Sequence, residues 1–128
     1  MRRFCQKKMT HQKEILIGGE WRRTDETIVV NNPFTGQLLA EVASAGSTEN
    51  DEAIAHAEWA ARELSDLPRF EIARGLRAIA SGIAARRDLF AETISKESAK
   101  PIKTARGEVE RGVATFNWAA GEAERFVG

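Results

Sequence analysis

Residues able to do chemistry are present in this chain, but their spacing does not assemble a reaction centre. His11 stands in a basic opening stretch, and His56 lies among alanines with no second ligand or base at helical spacing. Both read as surface histidines and not as metal ligands or general bases. Glu108 and Glu110 are close in sequence, yet on a helix they point to different sides and cannot flank one substrate atom as a glycosidase pair does. Ser44, Ser47, Ser65, Ser81, Ser95 and Ser98 fall near caps, loops or helix faces, and none has the strand-to-helix G-x-S-x-G setting of a hydrolase nucleophile. Cys5 is surrounded by Arg2, Arg3, Lys7 and Lys8, which favours a reactive thiolate but supplies no partner base. As the single cysteine it also excludes an internal disulfide and a cysteine-built zinc cluster. Gly107, Gly112 and Gly121 are scattered through a helical pattern and follow no strand, so they form no phosphate or dinucleotide cradle. No catalytic, cofactor-binding or metal-ligating residue is therefore assigned.

Charge narrows the partners further. Lysine and arginine total 19 against 19 acidic residues, so no net field steers the chain toward nucleic acid or an anionic membrane. Arg69, Arg74, Arg77, Arg86 and Arg87 are balanced by acids elsewhere in the chain and read as a solvated helix face. The opening MRRFCQKKMTHQKE is basic but has no apolar run of a secretory signal, and no stretch of about 18 apolar residues occurs. A cytoplasmic protein is expected. A mitochondrial transit peptide is disfavoured by Glu14 and by the lack of a Ser-rich amphipathic stretch. Met9 is an alternative start.

The elements that would have to position a site can be read in order. Residues 1–14 are expected as a flexible basic leader and 15–128 as one domain-sized unit, whose 42% hydrophobic content suffices for a modest core. Ile15, Leu16 and Ile17 run into Gly18-Gly19 and out through Glu20-Trp21, the pattern of a tight hairpin needing positive φ. Residues 27–30 are β-branched and end in the turn Asn32-Pro33-Phe34-Thr35-Gly36, and the alternating residues 37–43 form the return strand. Thr48 is expected to cap a first helix with Glu49, Asp51 and Glu52 in its opening turn. Its stripe of Ile54, Ala57, Ala61 and Leu64 should pack closely on a neighbour, with Trp59 at the edge. A second helix begins at Pro68 and carries Ile72, Leu76, Ile79 and Ile83. A bend near Asp88 leads to a short third helix with Leu89, Phe90 and Ile94, which residues 95–100 end. Residues 97–127 read as one long helix announced by Pro101, with Ala105, Val109, Val113, Phe116, Ala120 and Ala123 on its buried face. Arg106 and Glu110, four apart, could pair on its outer face. The fold class is α+β, short hairpins followed by three or four helices.

Several of these elements, taken in order, resemble one family. I-G-G-E-W at residues 17–21, then a strand, N-P-x-T-G at 32–36, and a second strand match the beginning of NAD(P)-dependent aldehyde dehydrogenases. So does the later E-x-x-K-P of Glu97, Lys100 and Pro101, followed by Glu108-Val109 and by Phe116, Trp118, Ala119 and Ala120. The family's usual glycine in that element is Ala99 here. The resemblance covers roughly residues 15–127, and TFNWAAGEAERF looks most like members acting on small hydroxylated aldehydes such as lactaldehyde or glyceraldehyde 3-phosphate.

The resemblance implies that this is the amino-terminal, incomplete part of a cofactor domain in the α/β aldehyde dehydrogenase fold. The complete enzyme oxidises an aldehyde to an acid with NAD or NADP, through a cysteine thiolate, an oxyanion-binding asparagine and a water-activating glutamate. It is usually a homo-oligomer. Those residues, the nucleotide site and the oligomerisation arm are expected outside these 128 residues. No cofactor or activity is expected of the chain alone, and its partner would be the remaining sequence or another subunit. Arg111 and Trp118, on the solvent side of the last helix, are the substrate-channel candidates. The alternatives are a non-catalytic helical interaction module and an unrelated α+β domain with coincidental motifs.

Overall fold

The computed structural model describes residues 12–126. Cys5, His11, Val127 and the leader up to residue 11 lie outside the described residues. Five short strands come first: β1 (Gln12–Lys13), β2 (Ile15–Ile17), β3 (Glu20–Arg22), β4 (Thr27–Asn31) and β5 (Leu38–Ala43). Four helices follow: α1 (Ser47–Ser65), α2 (Arg69–Ala85), α3 (Arg87–Ser98) and α4 (Ile102–Arg125).

The turns expected from glycine and proline form as their chemistry requires. β2 and β3 pair antiparallel around Gly18 and Gly19, whose φ values of 58° and 86° match a two-residue hairpin turn. Gly18 has a second reason to be glycine, because a Cβ there would lie 2.6 Å from the His56 ring. β4 and β5 pair antiparallel, and their connection is held by Asn32, whose Oδ1 accepts from the Phe34 and Thr35 amides at 2.9 and 3.0 Å. Gly36 closes it at φ 70°. One strand lies in the segment assigned to the leader: β1 runs parallel to β5, with Gln12 opposite Glu41 and Lys13 opposite Val42, giving the order β1-β5-β4.

Three helix boundaries differ from the sequence expectation. The cap of α1 is Gly46, not Thr48, and Glu49 reaches back to accept from the Gly46 amide at 2.8 Å. The break between α2 and α3 falls at Arg86, whose guanidinium sits 5.6 Å from the Phe90 ring centre. Residues 97–127 are not one helix, since Glu97 and Ser98 end α3. Ala99 then adopts the left-handed conformation at φ 54° and ψ 21°, and Pro101 caps α4. A proline before the helix supplies a fixed φ without a wasted donor. Ser95 Oγ donates to the Lys100 carbonyl at 2.7 Å and ties down this corner.

Packing centres on α4, which lies along α2 and α3. The residues at the contact are mostly alanines: Ala73 and Ala80 of α2, Ala91 of α3, and Ala105, Val109 and Ala120 of α4 are all buried. Small side chains let helix backbones approach closely, so the larger Ile72, Leu76, Ile83 and Ile94 fill the margins and are only half-buried. Ile79, Leu89 and Phe90, expected inside, point outward. Arg77 of α2 grips Glu124 of α4 with two hydrogen bonds of 2.7 Å. Arg106 pairs with Asp88 of α3 at 3.5 Å and not with Glu110.

Most of the α1 stripe stays open, only Ala57 lying beside Leu16 and Ile17 of β2. Helix α1 has no buried residue, and Ile54 and Leu64 stay exposed together with Trp59. The helix touches the rest of the fold chiefly through β2, where His56 lies over Gly18 and Glu52 pairs with Arg22 of β3.

The left-handed Ala99 predicts that Ala99→Gly raises stability by about 1 kcal/mol, read as a higher urea midpoint at unchanged slope. The arginine clamp predicts acid sensitivity. Hydrogen bonding from Arg77 holds the Glu124 carboxyl below its ordinary range, and Lys100 does the same to Glu108. A depressed folded pKa gives stability that is complete above the unfolded value of about 4.3 and lost as pH falls through the folded one. Thermal midpoints should therefore drop below about pH 4.3, and the drop should flatten in Glu124→Gln.

Candidate functional site

Arg111 and Trp118 stand seven residues apart on α4, two turns or about 10.5 Å along its axis. Both project from the side opposite the Ala105, Val109 and Ala120 seam, and Trp118 is 74% exposed. The structure thus places the two candidates on one open stripe. It does not enclose them in a cavity.

The polar environment of Arg111 originates at the corner before α4. Lys100 Nζ donates to Glu108 Oε1 at 2.5 Å, and the same oxygen lies 3.7 Å from Arg111 Nη2. Glu108 is half-buried and carries a depressed pKa, caused first by the Lys100 hydrogen bond and opposed by partial desolvation. The lysine of the K-P element, the glutamate of the E-V element and Arg111 therefore form one connected group. Glu110 faces solvent elsewhere, so the two glutamates do not converge.

Trp118 borders a shallow cleft of about 430 Å3 shared with Asn117, Gly121 and Arg125. Arg125 falls on the same open side, because Arg111, Trp118 and Arg125 follow one another at intervals of seven. Arg125 is paired with Glu122 and remains largely exposed. Arg111 and Arg125 stand about 21 Å apart along the helix and each faces a carboxylate, Glu108 and Glu122, so the stripe gathers no shared anion site.

The other candidates have local roles. His56 packs on the Gly18 turn. The hydroxyls of Ser65, Ser95 and Ser98 donate to the carbonyls of Arg62, Lys100 and Ile94. Among the described residues no group of three histidine, cysteine or carboxylate side chains could hold a metal. No described helix is long and apolar enough to cross a membrane.

A dinucleotide needs a parallel strand, a glycine-rich turn and a helix whose N-terminus meets the pyrophosphate. The described residues do not fit that group. The parallel pair here is β1 with β5, joined through other strands, and the left-handed glycines lie in hairpin turns.

Comparison with known proteins identifies the relatives of this arrangement. The model of the aldehyde dehydrogenase family matches residues 21–128. Mitochondrial succinate-semialdehyde dehydrogenase of Arabidopsis thaliana is 37% identical over 115 residues, covering 88% of this chain and 22% of that protein. The NADP complex of NADP-dependent glyceraldehyde-3-phosphate dehydrogenase from Bacillus halodurans superposes with a TM-score of 0.86 at 33% identity, over 89% of this chain and 24% of that one. Lactaldehyde dehydrogenase from Escherichia coli does so with a TM-score of 0.86 at 30% identity, over 91% and 25%. The chain spans about a quarter of the length of these relatives. In sequence and in fold alike, it belongs to the aldehyde dehydrogenase family and corresponds to the amino-terminal part of its members.

Proposed function

We propose that this chain is the amino-terminal scaffold of an NAD(P)-dependent aldehyde dehydrogenase acting in the cytoplasm. In this reading residues 15–128 form part of the cofactor domain, with the ribbon and helices covering the nucleotide-binding sheet. The nucleophile, the base and the dinucleotide grip come from sequence beyond these residues, and the complete enzyme is a homo-oligomer. It oxidises a small hydroxylated or acid-bearing aldehyde to a carboxylic acid.

The observation that carries this reading is α1, a helix of 19 residues without one buried side chain. Its exposed Ile54, Trp59 and Leu64, with Leu16 and Trp21 of the ribbon, leave apolar surface in water at a cost of about 25 cal/mol per Å2.

Substrate class is proposed from α4. The relatives named above act on succinate semialdehyde, glyceraldehyde 3-phosphate and lactaldehyde, small aldehydes bearing an acid or hydroxyl group. Arg111 and Trp118 would border the substrate channel, the arginine drawing in the polar end of the aldehyde and the indole lining the wall.

Two measurements test the reading. Alone, the chain should show low thermal stability, self-association and no response to NAD+ in light scattering and thermal melting. Joined to the remaining three quarters of the Arabidopsis relative, it should restore aldehyde oxidation. A cooperative monomer whose midpoint rises with NAD+, or a folded chimera without activity, would overturn it.

In that chimera Arg111→Ala should raise KM for an acid-bearing aldehyde about tenfold, the size of one lost charge-assisted contact, while kcat stays nearly constant. Trp118→Ala should raise KM for aldehydes generally. Unchanged KM in both variants would remove these residues from the channel.

A further inference from the structure

We draw no further inference here: the strongest candidate, the unpartnered apolar face of α1 bearing Ile54 and Leu64 with Trp59 at its edge, carries none, because nothing in the structure selects an occupant other than the remaining sequence of a family member.

Discussion

Close approach of α4 to α2 and α3 through alanine is the constraint on which the rest of the chain depends. Ala73, Ala91, Ala105 and Ala120 have no exposed surface, and each sits where a larger side chain would hold two backbones apart. A seam of methyl groups brings the helices near but buries little apolar area per residue. The margin residues and the Arg77 clamp must supply the remainder. That economy explains why the helical half is well defined in geometry while large apolar side chains still point outward.

Those outward side chains separate two levels of completeness. The α2-α3-α4 unit closes on itself through its own contacts. The ribbon and α1 are attached by few residues, chiefly the Gly18 turn under His56 and the Arg22–Glu52 pair. An amphipathic helix without a covering surface is understandable as one layer of a larger α/β architecture, in which helices are sandwiched against a sheet. The family relation supplies that architecture, and the exposed α1 stripe marks where the layer is open.

Short-range chemistry was readable from the residues. Gly18-Gly19, Asn32 through Gly36, and Pro101 each specify a backbone conformation within a few positions, and the turns and helix start formed there. The α4 repeat at Ala105, Val109 and Ala120 was also readable, because burial along one helix imposes its own period. Non-local features were not. β1 is two residues long and is defined only by its partner β5, so nothing in Gln12-Lys13 announces a strand. The α1 stripe carries the pattern of a packed face, but pattern cannot say whether the packing partner is near. The end of the third helix within residues 95–100 was readable, but the left-handed turn at Ala99 was not, because alanine gives no hint of it. At the candidate site, Arg111 and Trp118 were separated from the core by periodicity alone. The same periodicity puts Arg125 on that side, whereas the Lys100–Glu108 link required the corner to be seen.

The order of contacts along the chain has a kinetic consequence. Each β-hairpin joins strands that are neighbours in sequence, and the helical seam is confined to α2, α3 and α4. Loops of this length close at modest entropic cost, so the seam can assemble early, without waiting for distant segments. Early assembly of the seam leaves the α1 face and the ribbon open to water, and apolar surface exposed in this way is where misassociation competes with folding.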